Sequence, residues 1–187
     1  MIFRIFAHVM NEDTKYMEAA LREAEAAATE DEVPVGAVIV CNGKIIAKGH
    51  NMTERLNDPT AHAEMIALTS ATEAIGGKHL NDCTLYVTVE PCPMCAAALA
   101  WAQLGRLVYG APDSKRGYTG FSPCLLHPKT KVSADVMKDK CAELIVSYFS
   151  KKRCGTKIRT WAGRTKICSA TITPYLNSIL QRYEITR

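Results

Sequence analysis

Short β-branched runs alternate with helical segments along most of this chain, and that alternation restricts the possible folds more than any other feature. Strands are predicted at 35–41, 44–48, 83–89, 106–109 and 132–134, and helices at 13–28, 61–74, 91–104 and 135–152. Asn42-Gly43 separates the first two strands and is a strong β-hairpin signal, so those strands should pair antiparallel. The remaining strands alternate with helices, which favours parallel pairing. The sequence therefore predicts a layered α/β domain with an at least partly parallel sheet.

Polar residues and glycines predict where the helices begin and end. Asp13 is the expected N-cap of the first helix, and Asp58 or Thr60 is the expected N-cap of the second. Gly76 follows the second helix, at a position where a left-handed residue commonly ends a helix. The stretch 110–123 is rich in Pro, Gly and Ser, and we predict a long loop there, of a kind that often carries function.

The size and the charge distribution indicate one domain followed by a basic tail. The chain has 187 residues, 48% of them apolar, which is enough for one good core. Residues 1–150 contain 14 basic and 18 acidic side chains, whereas 151–187 contain nine and one. We expect a domain over 1–153 and a tail of uncertain structure over 154–187, with a short helix at 175–183. The tail is interpreted either as an RNA-binding extension or as an unrelated run-on reading frame.

Hydropathy and cysteine usage predict a soluble, cytoplasmic protein. No apolar run reaches the roughly 18 to 20 residues that a membrane span requires, and the first ten residues lack a cleavage site of small residues. The chain has eight cysteines. Cys41, Cys83 and Cys141 lie in apolar stretches, so we expect buried free thiols in a reducing compartment.

Two short motifs, far apart in the chain, together predict a metal site. His62 and Glu64 lie at the start of one predicted helix, and Cys92 and Cys95 lie at the start of another. Alone, His-x-Glu is more often a pair of solvated polar residues, and Cys-x-x-Cys can be a redox pair or part of a structural zinc site. Together, one imidazole and two thiolates are the three ligands that a catalytic zinc needs when its fourth position holds water. We therefore predict Zn²⁺ bound by His62, Cys92 and Cys95.

Glu64 is predicted to be catalytic because it lies beside this site without being a ligand. Zinc lowers the pKa of bound water toward about 7, and a neighbouring carboxylate can take that proton and deliver it elsewhere. The positive end of the helix dipole favours thiolates at Cys92 and Cys95. His-x-Glu followed by Pro-Cys-x-x-Cys is the signature of zinc-dependent nucleobase deaminases. The expected chemistry is hydrolytic deamination of a base by zinc-activated water.

Beyond these motifs, the chain resembles the bacterial tRNA adenosine deaminases from about residue 10 to residue 153. The resemblance is carried by EVPVGAV at 32–38, NDPTAHAE at 57–64, LYVTVEPC at 85–92, GRLVYGA at 105–111 and LHP at 126–128. It implies a three-layer α/β/α cytidine deaminase-like fold around a central five-stranded mixed sheet. It also implies a zinc-dependent deaminase domain over 1–153, a homodimer, and conversion of the wobble adenosine of a tRNA anticodon to inosine.

The same resemblance implies roles for three further residues. It places Asn51 against the base and ribose, Val35 in the base pocket, and Asp113 in a loop that touches the anticodon. The residues by themselves favour plainer interpretations, in which Asn51 is a loop-capping amide and Val35 belongs to the core. The basic residues that could meet RNA phosphates are Lys115, Arg116, Lys129, Lys131 and those at 151–153, although such charges are usually only solvated.

Several alternatives remain open at this stage. Pro93 gives a Cys-Pro-Met-Cys motif of the kind that guanine deaminases commonly show, so a guanine deaminase is the nearest rival, with cytosine or cytidine deaminases behind it. From other classes, the protein could be a zinc-stabilised binding module without turnover, or a thiol redox protein. The apolar helix around 96–102 could be buried within one subunit or across a dimer.

Overall fold

The structure is a computed structural model that describes residues 2–121 and 125–155, with side chains described over 12–121 and 125–152. The elements in chain order are α1 (Ile2–Thr29), β1 (Gly36–Cys41), β2 (Lys44–His50), α2 (Ala63–Ile75), β3 (Cys83–Val89), α3 (Pro93–Trp101), β4 (Arg106–Ala111), β5 (Lys131–Ser133) and α4 (Lys138–Gly155). A single 3₁₀ turn, Tyr118–Gly120, lies in the loop after β4.

The strands form one five-stranded mixed sheet in the order β2-β1-β3-β4-β5. β1 runs antiparallel to both β2 and β3, whereas β4 is parallel to β3 and β5 is parallel to β4. Asn42 and Gly43 connect β1 to β2 with φ angles of 49° and 73°, as a type I′ hairpin requires. The predicted hairpin and the partly parallel sheet are confirmed.

Helices cover both faces of the sheet, so the predicted three-layer α/β/α architecture is confirmed. Alternate residues of β1 point to opposite sides: Ala37 and Ile39 join a core with α2 and α3, while Val38 and Val40 join a core with α1 and α4. This period of two is the geometry of a strand that is buried on both faces.

The predicted N-cap role of Asp13 is wrong, because α1 begins well before it and Asp13 lies inside the helix. Its buried carboxylate instead accepts two hydrogen bonds from Arg106, at 2.8 and 2.7 Å, and one from the Tyr86 hydroxyl at 2.8 Å. The bidentate pair joins α1 to the first residue of β4. Asp13 is of a residue type that is common at helix N-caps, but here it binds an arginine on a strand.

Other helix boundaries also differ from the predictions. The N-cap of α2 is His62, and the Asp58 carboxylate instead accepts hydrogen bonds from the backbone N–H and hydroxyl of Thr60 in the preceding turn. Gly76 ends α2 in the left-handed conformation, as predicted. α4 begins later than expected because Asp135 and Met137 have positive φ angles of 63° and 55°, which are not helical.

The backbone of α4 continues to Gly155, two residues into the predicted tail. The rest of that tail, including the helix predicted at 175–183, lies outside the described residues. Cys83 and Cys141 carry buried free thiols, as predicted, whereas the free thiol of Cys41 is only half-buried. Over the described part of the chain, no helix combines the length and the apolar character that crossing a bilayer requires.

Candidate active site

The predicted metal ligands come together beside the carboxyl end of β3. β3 ends at Val89, and Cys92 then caps α3, whose first turn carries Cys95. His62 caps α2, and Glu64 lies in the first turn of that helix. Two helix N-termini therefore converge at the carboxyl end of a strand in the parallel part of the sheet, the edge at which α/β folds commonly bind ligands.

The geometry of the three side chains fits a tetrahedral zinc ion. Nδ1 of His62 lies 3.6 Å from Sγ of Cys92 and 3.5 Å from Sγ of Cys95. Zn–S and Zn–N bonds of about 2.3 and 2.1 Å at a tetrahedral angle place their outer atoms about 3.6 Å apart. All three ligand atoms lie within 4.8 Å of one another. Among the described residues, this trio is the group of side chains that could hold a metal ion. Three protein ligands leave one position for water or substrate, as in catalytic zinc sites.

The electrostatics of the cluster favour negative charge on the sulfur of Cys92. A hydrogen bond from Cys95 lowers the pKa of Cys92 to about 4, and His62 contributes in the same direction. That shared hydrogen bond, together with burial, raises the pKa of Cys95. The contact with Cys92 also raises the pKa of His62. A divalent cation at this point would stabilise both thiolates at once.

Glu64 is buried beside the cluster and hydrogen-bonds to Cys95. Glu64 is only 4% exposed, and desolvation raises the pKa of its carboxyl group to about 7. A carboxyl group with a pKa near neutral can both take and release a proton at physiological pH. The structure thus places Glu64 where the sequence predicted it, next to the ligands.

Asn51 and Val35 are joined by a backbone hydrogen bond, and the residue after Asn51 pairs with the residue before His62. The backbone N–H of Asn51 donates to the carbonyl of Val35 at 3.0 Å, and that of Met52 donates to the carbonyl of Ala61, which directly precedes His62, at 3.0 Å. Val35 is half-buried and packs against the core that contains α2 and α3. The residue after Asn51 thus pairs with the segment that leads to His62, and Val35 has the packing role that the plainer interpretation gave it.

Glu32 is a buried residue of the site that sequence reasoning missed. Its carboxylate accepts hydrogen bonds from Asn51 Nδ2 at 2.9 Å, from the Thr53 hydroxyl at 3.2 Å and from the backbone N–H of Arg55 at 2.7 Å. Burial raises the pKa of Glu32, but the hydrogen bonds that it accepts outweigh this and leave the pKa below its ordinary value. The signal available in the sequence was an acidic residue shortly before an apolar strand.

Glu90, also missed, holds the long loop that contains Asp113. One Glu90 oxygen accepts from the backbone N–H of Asp113 at 2.9 Å, and the other accepts from the N–H and hydroxyl of Thr119 at 3.0 and 2.6 Å. The Glu90 carboxylate fills the space that a Cβ at Gly117 would need. Because Glu90 is two residues from Cys92, it couples this loop to the metal cluster.

Four of the basic residues considered for RNA contact fall into two regions, and Lys152 instead forms an ion pair with Asp31. Asp113 accepts hydrogen bonds from the backbone N–H groups of Lys115 and Arg116, both at 3.0 Å, so these two residues belong to the loop held by Glu90. The charge of Arg116 acts on His62, which places it on the metal side. Lys129 and Lys131 instead line a groove at the amino ends of β3 and β4. They lie at the opposite end of the sheet from the metal cluster.

With this geometry established, the sequence identifies the class of protein. Residues 10–111 match the family described as "Cytidine and deoxycytidylate deaminase zinc-binding region". The chain belongs to this family of zinc-dependent deaminases, and the fold and the ligand cluster agree with that membership.

Within the family, the chain is similar to the tRNA-specific adenosine deaminases. It is 44% identical to that of Agrobacterium fabrum over 149 residues, which are 77% of this chain and 98% of the relative. A solved structure from work on A-to-I editing by tRNA:A34 deaminases is 43% identical, with a TM-score of 0.65 over 70% of this chain and 99% of that one. A guanine deaminase from Nitrosomonas europaea has the same TM-score, 0.65, at 25% identity, over 73% and 84% of the two chains. The two solved structures match the fold of this chain equally well, but its sequence is more similar to the adenosine deaminases.

Proposed function

We propose that this protein converts the wobble adenosine of a tRNA anticodon to inosine by hydrolytic deamination. The observation that carries the proposal is the convergence of His62, Cys92 and Cys95 with ligand atoms within 4.8 Å of one another, beside the buried carboxyl of Glu64. The substrate is taken from the tRNA-specific adenosine deaminases, which match this chain over almost their whole length.

The proposed chemistry divides the work between the metal ligands and Glu64. A zinc ion held by His62, Cys92 and Cys95 would supply the nucleophile, because coordination lowers the pKa of water toward about 7. Glu64 takes the proton of that water and delivers it to N1 of adenine as C6 is attacked. Glu64 then carries the second proton to the C6 amine, which leaves as ammonia. Water and adenosine are thereby converted to inosine and ammonia, with atoms and charge balanced.

The remaining site residues bind the RNA in this proposal. Val35 and Asn51 line the pocket for the base and its ribose, and Asp113 shapes the loop that meets the anticodon. That loop also carries Lys115 and Arg116, whose positive charge suits neighbouring phosphates. An anticodon loop suits such a site because its bases can be splayed out at modest cost.

Two further features complete the proposal. A homodimer is supported by α3, whose Trp101 is 85% exposed and whose Met94 is 36% exposed, since exposed apolar surface on a helix commonly marks an interface. Sedimentation equilibrium at micromolar concentration tests this, and a monomer mass would contradict the dimer. A cytoplasmic location follows from a tRNA substrate and from free thiols at Cys41, Cys83 and Cys141, and cell fractionation tests it.

The direct test is inosine mapping in tRNA after incubation with the purified protein. We expect inosine at the wobble position of a tRNA with adenosine there, and none in the same tRNA with guanosine at that position. Free guanine, cytosine and cytidine are assayed in parallel for ammonia release, because the fold alone does not separate these activities. Ammonia from guanine without inosine in tRNA would contradict the proposal and favour a guanine deaminase.

A further inference from the structure

Cys41 and Cys83 face each other across two neighbouring strands. Cys41 is the last residue of β1 and Cys83 is the first residue of β3, and the two are partners in the antiparallel register. Directly opposite residues of an antiparallel pair carry their side chains on the same face of the sheet. Cys83 belongs to the core that contains α2 and α3, and Cys41 packs against that same core. The two thiols are therefore neighbours.

The backbone positions of the two residues suit a disulfide. The N–H of Cys83 donates to the Leu80 carbonyl at 3.0 Å, so Cys83 does not exchange with Cys41 the two hydrogen bonds that define a hydrogen-bonded pair. In the other kind of antiparallel pair, the Cα atoms lie about 4.5 Å apart, and disulfides bridge Cα distances of about 4.4 to 6.8 Å. An S–S bond can therefore form here with little movement of the strands.

The two thiols differ in their access to an oxidant and in their reactivity. Cys41 is half-buried, whereas Cys83 is 3% exposed. Burial and a hydrogen bond with Cys41 raise the pKa of Cys83 to about 12, so its thiol is protonated at neutral pH. Because the thiolate is the reactive form, Cys83 is not the residue that begins an exchange reaction. Modification of Cys41 removes that hydrogen bond, and with it a part of the rise in the pKa of Cys83.

We propose that Cys41 and Cys83 are a reversible oxidation site that takes a low-molecular-weight disulfide, such as oxidised glutathione, and closes to a cross-strand disulfide. The thiolate of Cys41 attacks one sulfur of the oxidant, forms a mixed disulfide and releases one thiolate. Cys83 then gives up its proton and attacks the Cys41 sulfur, which forms the bond between the two residues and releases the second thiolate. The oxidant is reduced to two thiols that carry the two protein protons, so atoms and electrons balance.

This oxidation site is separate from the metal cluster. Cys83 begins β3, whereas Cys92 and Cys95 follow the other end of that strand, roughly 20 Å away at about 3.3 Å per residue. Cys141 lies in the core on the opposite face of the sheet. Oxidation of the pair therefore removes no metal ligand. Disulfides in cytosolic proteins are usually transient and redox-sensing, and a reversible link at this position suits that use.

The first test exposes the purified, zinc-loaded protein to glutathione buffers with an increasing oxidised fraction. Free thiols are then alkylated, and the unreduced peptides are mapped by mass spectrometry. We expect a peptide linked through Cys41 and Cys83, full reversal by dithiothreitol, and an unchanged zinc content. The absence of this link at every ratio would overturn the proposal. A glutathione adduct on Cys41 that never closes, or a link that forms only after zinc is lost, would overturn it as well.

Variants separate the two steps of the reaction. In Cys83→Ala, glutathione should stay on Cys41 because no thiol remains to displace it, and an unmodified Cys41 in this variant would contradict the proposed order. In Cys41→Ser, neither the adduct nor the link should form.

Cys141→Ala is the matched control, because Cys141 is also a buried free thiol whose burial raises its pKa to about 12, but it lies in the other core. This variant should give the same yield of the link between Cys41 and Cys83. A link from either residue to another cysteine in its place would show that oxidation follows unfolding rather than the native strand pairing, and would overturn the proposal. The mapping of the wild-type protein does not depend on any variant folding.

Discussion

Glu64 and Glu32 are both buried glutamates, yet their pKa values shift in opposite directions. Glu64 is 4% exposed and Glu32 is 1% exposed. Desolvation dominates at Glu64 and raises its pKa to about 7. At Glu32, hydrogen bonds from Arg55, Glu54, Thr53 and Asn51 outweigh desolvation and lower the pKa. The number of donors around a buried carboxylate, rather than its depth, decides whether it can exchange a proton or is held as an anion.

This difference suits two different roles. A proton carrier must be stable both with and without its proton, and few fixed donors around Glu64 permit that. A positioning group must keep one charge state and one geometry, and the donors around Glu32 enforce both. Glu90 belongs with Glu32, because its two oxygens accept hydrogen bonds from Asp113 and Thr119 and fix the opposite loop. In the proposed site, Glu64 carries out the chemistry, while the buried carboxyl groups of Glu32 and Glu90 hold the surrounding loops.

The largest expected effect comes from removing the proton carrier with Glu64→Gln. General acid–base groups typically contribute 10² to 10⁴-fold, so we expect kcat for inosine formation to fall by about that factor. Bound zinc, measured by metal analysis of the purified protein, should be retained because Glu64 is not among the ligand trio. Glu73→Gln, on the exposed face of the same helix, is the matched control and should leave kcat unchanged. An unchanged rate in Glu64→Gln would mean that another group carries the protons.

The metal cluster and the sheet could be predicted from the sequence because their signals are chemical and local. His62, Cys92 and Cys95 are ligand types that few other roles explain together, and Asn42-Gly43 fixes a hairpin through its own backbone preferences. Glu32 and Glu90 could not be predicted, since many of their partners are backbone N–H groups, which nearly every residue offers. Asp13 was assigned to a cap from its neighbours, whereas its partner Arg106 lies 93 residues away. Contacts at such separations are set by the tertiary fold.

A smaller effect is expected from Glu90→Ala, which removes the carboxylate that holds the loop containing Asp113. The N–H groups of Asp113 and Thr119 would lose their acceptor, and a lost hydrogen bond to a charged group costs about 1.5 to 3 kcal/mol. We expect the free energy of unfolding to fall by roughly 2 kcal/mol, because water can reach part of this loop. KM for tRNA should rise more than kcat falls, since Lys115 and Arg116 move with the loop.

Thr119→Val is the control for that change, because it removes only the hydroxyl that bonds to Glu90 and leaves the backbone N–H in place. Its effect on unfolding, measured by urea denaturation, should be smaller than that of Glu90→Ala. If Glu90→Ala instead lowers kcat without changing KM, the carboxylate acts on the metal cluster rather than on the RNA-facing loop.

The smallest expected effect is a pH dependence of stability that comes from Glu32. Because the folded pKa of Glu32 lies below its ordinary value of 4.5, its ionisation stabilises the folded state above that value, and this contribution is lost as the pH falls through the folded pKa. Glu32→Gln lacks the titration, so the stability difference between wild type and variant should shrink as the pH falls from about 6 to about 3. Comparing the two proteins cancels the acid sensitivity of the metal site, which they share. A difference that grows on acidification would mean that burial dominates at Glu32, as it does at Glu64, and the contrast between the two carboxylates would fail.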